Sequence, residues 1–261
     1  LSLPSQRQVI SIPRELAGDR SIDERAKSLY MQLHMHKPRS IRELAGRTGL
    51  NRRVVDRLVA SLVEKQWVIM KPLGNRHVMI PTLPPRLQKA KLDYMRECIR
   101  ISQRAGEFHM KLRFEQIIDA SPWIDNVRPW FLQSSESGEF LEYDRYCPHA
   151  KIAGEFQGRQ HFETTSEFPD PEHLEKTKIR DSLKKELSRK HDVILITITP
   201  EDLTLENMLG KIPETVPIKL MDLNGVYARG LEELCQQYIA YHRRGKARDM
   251  RRGRQRELSD R

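Results

Sequence analysis

The stretch LEYDRYCPHAKIAGEFQGRQHFE, positions 141–163, sets Glu142, Asp144, Glu155 and His161 among apolar and aromatic residues. Read as two neighbouring strands, 140–147 and 151–158, its side chains alternate between faces. Glu142 and Asp144 then share a face, as do Glu155 and Gln157, and on adjacent strands the two pairs converge. Carboxylates gathered in a partly buried place repel one another and are costly to strip of water. A divalent cation removes that conflict. Mg²⁺ takes hard oxygen ligands, commonly one or two carboxylates with water and a substrate phosphate, and Mn²⁺ substitutes for it. The expected metal set is Asp144 and Glu155, with Glu142 as a third candidate. On a basic chain this chemistry points to phosphodiester hydrolysis, in which the ion activates water and stabilises charge on phosphorus and the leaving oxygen. The plainer alternative for each carboxylate is a solvated, salt-bridging strand residue.

Other polar residues weigh less. Asp181, one turn from Lys178 and Lys184, reads most simply as part of a helical ion-pair ladder and is kept as a site candidate. Cys147 and His149 lie close together, but His173 and His191 complete no ligand-pair spacing for zinc. Cys147 as a nucleophile lacks a base with its orienting partner. The three cysteines, Cys98, Cys147 and Cys235, are odd in number and widely spaced, which argues against a disulfide framework and fits a reducing, cytoplasmic setting. No run approaches the roughly 20 apolar residues of a membrane span, and the first residues lack the apolar core of a signal peptide.

These residues need elements to position them. The chain has 261 residues, long enough for two modest domains, and its net charge of +10 favours an acidic polymer as partner. Positions 1–20 read as an irregular arm. Within 21–83, apolar residues at Ala26, Leu29, Tyr30 and Leu33 have helical spacing. Ser40 and Glu43 make a capping box, and Asn51 opens a helix that buries Val55, Leu58, Val59 and Leu62. Two short strands around a PLGN turn follow. Three helices and a hairpin in that order make a winged helix-turn-helix. IRELAGRTGLNRRVVDRLVASLVEKQWVIMK resembles the winged-helix domains of bacterial transcription regulators. The resemblance implies that Asn51, Arg52, Arg53 and Arg57 face the major groove, with Lys71, Arg76 and His77 on the wing.

Positions 84–106 read as a connecting helix and 107–242 as a second domain. That domain runs from a helix, through the strands above, to the charged helix PEHLEKTKIRDSLKKELSRK, the strand DVILITIT, and two further helices. Positions 243–261 form a basic tail, expected to be a disordered phosphate-binding arm. The fold class expected is a multidomain α+β or α/β chain: winged helix, connecting helix, and a restriction-endonuclease-like mixed sheet flanked by helices.

EYD…GEFQG resembles the core of the PD-(D/E)XK nucleases, in which a hairpin presents an Asp and then a Glu-x-Lys. Asp144 matches the Asp and Glu155 the Glu. The longer run, with Gln160-His161 and the helix KTKIRDSLKKEL, is similar to the branch containing very-short-patch-repair endonucleases. Glu115 falls where the superfamily often carries a helix-borne Glu. Two positions depart: Tyr143 stands in place of the usual Pro, and Gln157 in place of the Lys. Gln157 can be neither a general base nor a cation, so a neighbour must supply those roles. His161 could relay a proton, and Lys178, Arg180 or Lys184 could stabilise developing charge. The resemblance implies a Mg²⁺-dependent endodeoxyribonuclease acting on double-stranded DNA, with Asp144, Glu155, Gln157, His161 and Glu115 at its site. Lys178 and Lys184 would add to the DNA contacts. Its setting would be a homodimer, or a larger transposition or restriction complex. The departure at Gln157 motivates the alternative, a non-catalytic DNA-binding regulator or accessory protein with a degenerate nuclease fold.

Overall fold

The computed structural model describes residues 13–38, 40–135, 137–158 and 171–259. They form two units. One comprises the described residues up to Tyr94 together with Leu220–Arg229; the other comprises Met95–Lys219 and the residues from Gly230 onward. Helix predominates, with one two-stranded and one four-stranded sheet among the described residues.

In the first unit, α1 (Arg14–Gly18), α2 (Glu24–His36), α3 (Ile41–Thr48) and α4 (Arg52–Glu64) precede an antiparallel hairpin of β1 (Val68–Leu73) and β2 (Arg76–Pro81). Local chemistry sets the helix ends. The side chains of Asp23, Ser40 and Asn51 accept the backbone N–H groups of Arg25, Glu43 and Arg53. Gly49, with φ of 67°, closes α3 in the left-handed region. The apolar stripes of α2 and α4 meet over Trp67 in one core, and Tyr30 sets its ring edge-on to Trp67 at 5.8 Å. Leu33 and Leu62 are fully buried there. The arm expected over positions 1–20 proves partly regular: α1 buries Leu16 completely. A single buried residue in one helical turn leaves no periodicity to read.

Leu220–Arg229 also belongs to this unit. The Tyr227 N–H donates to Gln88 Oε1 at 3.0 Å, and Lys91 Nζ stands 4.6 Å over the Tyr227 ring. These are polar contacts without an apolar pattern in the sequence. They lie on α5 (Pro85–Ile101), which begins in the first unit and ends in the second.

The second unit continues with α6 (Ala105–Ile117), β3 (Ile124–Val127), β4 (Tyr143–Cys147), β5 (Ile152–Phe156), α7 (Pro171–Lys190), β6 (Ile194–Ile198), α8 (Leu205–Lys211) and, from Gly230 onward, α9 (Val226–Ser259). The sheet runs β3-β4-β5-β6. The first three strands are antiparallel and β6 lies parallel to β5. A parallel neighbour requires a crossover, and α7 lies within it. Two adjacent residues of β5 show where the helices lie. A Cβ at Gly154 would overlap the buried Phe114 ring of α6. Glu155, the next residue, meets Lys184 of α7. Alternation along a strand therefore puts α6 and α7 on opposite faces of the sheet. Gly106 permits the same close approach from the helix side, against the rings of Phe156 and Tyr238.

One expectation is corrected at the chain's end. The basic tail continues α9 as helix to Ser259. It contains no proline, and Arg, Ala, Gln and Glu are good helix formers. No helix among the described residues is long and apolar enough to cross a membrane, and the three cysteines are unpaired.

The α6–β5 contact is testable. Gly154→Ala should destabilise the protein by about 1–3 kcal/mol, because Phe114 has no free space to enter. Urea unfolding followed by tryptophan fluorescence measures this, and an unchanged midpoint would show that α6 does not rest on β5 as described.

Candidate active site

The β4–β5 register pairs Arg145 with Gly154 and leaves Asp144 and Glu155 as the next residues along. The two carboxylates thus fall together where the paired ladder ends. Asp144 Oδ2 accepts the Phe156 N–H at 2.7 Å, which fixes that side chain against β5. Glu155 is 6% exposed; its Oε2 accepts from Lys184 Nζ at 2.6 Å, while its Oε1 is buried and accepts from no described group.

Burial and charge act on these groups as expected for crowded acids. Burial, then the negative charge of Asp144, pushes Glu155 up to about 8 against the opposing pull of Lys184. Burial also raises Asp144, and Glu107 adds to the rise, against the Phe156 N–H, Lys184 and Lys111. Burial is the larger cause of the Glu155 rise, and the Lys184 ammonium in contact lowers it without restoring an ordinary carboxylate.

Gln157 is buried and donates through Nε2 to Asp181 Oδ2 at 2.9 Å, tying the end of β5 to α7. Lys184 lies three positions after Asp181 on the same helix, so its ammonium comes to the carboxylates from the crossover element. The structure therefore separates the three cations that sequence left open. Lys184 is inside the cluster. Lys178 is exposed and pairs with Glu175 at 2.8 Å, and Arg180 pairs with Glu139.

Two expected carboxylates lie elsewhere. Glu142 pairs with Arg128 at 3.0 Å and remains partly exposed. Glu115 is exposed on α6; its charge acts on Arg145, and its carbonyl accepts from Lys219 Nζ at 2.7 Å. The helix carboxylate whose charge reaches Asp144 is Glu107, two turns earlier, buried and paired with Lys111 at 2.5 Å. α6 is buried on nearly all sides, so no polar stripe marks which Glu points inward. The available signal was Gly106 beside Glu107, since a glycine within a helix marks close packing. Gln160 and His161 lie outside the described residues.

Among the described residues, no group of three or more His, Cys, Asp or Glu is arranged to hold a metal. The donor set that fits a hard cation is the pair Asp144 and Glu155, with Oε1 of Glu155 the buried oxygen that has no donor.

In the first unit the residues expected to meet DNA divide. Asn51 is engaged as the α4 cap, its Oδ1 accepting the Arg53 N–H at 2.9 Å. Arg52 stands 3.8 Å from Asp56. Arg53 and Arg57 are exposed, and among the described residues neither has an acidic partner. Lys71 and His77 are exposed on the hairpin, and the Arg76 side chain lies outside the described set.

A raised carboxylate makes the fold depend on pH in a fixed direction. Glu155 costs nothing below the ordinary Glu range, where it is protonated folded and unfolded. Its stability contribution is lost as pH rises through about 8, where it ionises in the fold. In chelator, the thermal midpoint of Glu155→Gln relative to the parent protein should therefore rise with pH between about 5 and 8.5. Lys184→Met should fall behind the parent at the upper end of that range, where Glu155 ionises in the parent's fold. Parallel midpoint curves for all three would contradict the cluster's electrostatics.

No protein-family model, no curated protein and no solved structure matches the chain.

Proposed function

We propose that the protein is a Mg²⁺-dependent DNA endonuclease whose site is built on Asp144 and Glu155. The observation that carries this reading is the buried, electrostatically unsatisfied pair at the end of the β4–β5 ladder, with a lysine fixed beside it. The mixed sheet β3-β4-β5-β6, with α6 and α7 on opposite faces, supports the restriction-endonuclease-like reading of residues 107–242. The helices α2, α3 and α4 followed by the hairpin, with Arg53 and Arg57 exposed on α4, support a winged helix that holds duplex DNA.

Asp144 and Glu155 would hold the ion. When bound, it supplies charge neutralisation at phosphorus and a more acidic water. The chain's own residues do the rest. The Phe156 N–H holds Asp144 in place. Lys184 supplies the positive charge that Gln157 lacks, close enough to the carboxylates to stabilise negative charge developing on a phosphate oxygen. Gln157 is a positioning residue: through Asp181 it keeps α7, and therefore Lys184, against the sheet.

The second reading is a DNA-binding protein with an inactive nuclease fold. The observation favouring it is that Lys184 already neutralises Glu155 in part without a metal.

Supercoiled plasmid incubated with the protein and Mg²⁺ separates the two. Nicking should fall at least about a hundredfold in Asp144→Ala, and about tenfold or more in Lys184→Ala, while both variants keep duplex affinity. Equal nicking by parent and Asp144→Ala would remove the site assignment. No nicking by the folded parent, with duplex binding intact, would favour the second reading.

A further inference from the structure

The second half of α9 has no role in the site above. α9 runs 34 residues, Val226–Ser259, or about 51 Å at the α-helical rise. Its first half is held by the second unit's core, with Leu231, Cys235 and Ile239 buried at helical spacing. Past Ile239 the packing thins to His242, whose Nδ1 stands 3.9 Å from Glu201. Tyr241, Arg243, Arg244, Ala247 and Arg248 are all exposed. From Arg243 to Ser259 the sequence holds eight Lys or Arg against two acids, a surplus of six out of the chain's net +10. The charge that favours an acidic partner is thus concentrated on one helix.

Its spacing is specific. Positions 244, 248, 252 and 256 are all arginine, each four residues after the last, so the helical period sets them along one face over about 18 Å. Like charges at that interval repel in an isolated helix by a few tenths of a kcal/mol per pair. A linear polyanion reverses the sign of that interaction. Duplex DNA presents a charge about every 1.7 Å of its axis, and guanidinium groups fit phosphate oxygens bidentately. A membrane surface or an apolar groove on another protein would require an apolar helix face. Within Arg243–Ser259 the larger apolar residues are only Met250 and Leu258.

We propose that the C-terminal half of α9 is a second, sequence-independent docking surface for the phosphates of duplex DNA, separate from α4 and its hairpin. It deepens the DNA-directed reading above and rests on it for the choice of polyanion. In this role the helix lies along the backbone and sets how long the enzyme stays on DNA, while α4 contacts base edges.

The test compares the full-length parent with a variant carrying Arg244→Gln, Arg248→Gln, Arg252→Gln and Arg256→Gln. Gln keeps helix propensity, so the fold is retained, which circular dichroism and the thermal midpoint verify. Fluorescence anisotropy on a short duplex of arbitrary sequence gives the affinity between about 50 and 200 mM salt. The slope of log affinity against log salt should become shallower by about 3–4 in the variant, because four phosphate contacts are lost. An unchanged slope overturns the proposal. So does an unchanged slope accompanied by lost binding to anionic phospholipid vesicles, which would make a lipid surface the partner. Plasmid nicking at low salt keeps the two claims apart. A shallower slope with no nicking by either protein sinks the nuclease reading and leaves this surface standing. Nicking by both with equal slopes does the reverse.

Discussion

Two carboxylates held side by side out of water set the terms for the second unit. Asp144 and Glu155 reach the same place because the antiparallel register leaves them adjacent, and neither can turn away: one is tied to the Phe156 N–H and the other is buried beneath α7. The arrangement is unfavourable unless positive charge is supplied. Lys184 supplies part of it, its Nζ 2.6 Å from Glu155 Oε2. A fold that keeps such a conflict gains stability from whatever binds there to relieve it. That is the physical basis for expecting a cation, and the expectation of phosphate chemistry follows from it.

The surrounding elements can be understood as supports for that conflict. Gly154 and Gly106 remove side chains where α6 must lie close to β5, which brings Glu107 and Lys111 within electrostatic range of Asp144. On the opposite face, α7 enters through the parallel crossover, and the Gln157–Asp181 hydrogen bond fixes its register. The lysine arrives from a helix because the strand position offers only an amide. Sheet, crossover and helix contact thus each contribute one constraint to the placement of three charged groups.

Much of this was legible in the sequence, and the limits have physical causes. The caps at Ser40 and Asn51, the stripes of α2 and α4, and the alternation that joined Asp144 to Glu155 are all local signals, and local signals survive in a linear reading. Lys184 was one of three open choices because position along an exposed, highly charged helix does not say which turn meets the sheet. Glu115 came from the family resemblance, and Glu107 was not singled out, because a helix buried all round carries no polar face. The return of Leu220–Arg229 to the first unit depends on Gln88 and Tyr227, far apart in sequence and joined through a backbone N–H. The basic end of α9 was expected to be disordered because charge surplus and low hydrophobicity, taken alone, resemble a solvated tail.

The most direct measurement is divalent-ion binding to the DNA-free protein, by Mn²⁺ titration calorimetry in buffers of different ionisation enthalpy near pH 7. One ion per chain should bind, releasing close to one proton because Glu155 is largely protonated before the ion arrives. Binding should be lost in Asp144→Asn and the proton release lost in Glu155→Gln. An intact, folded protein that takes up no Mn²⁺, or that binds it equally well without Asp144, would contradict the account.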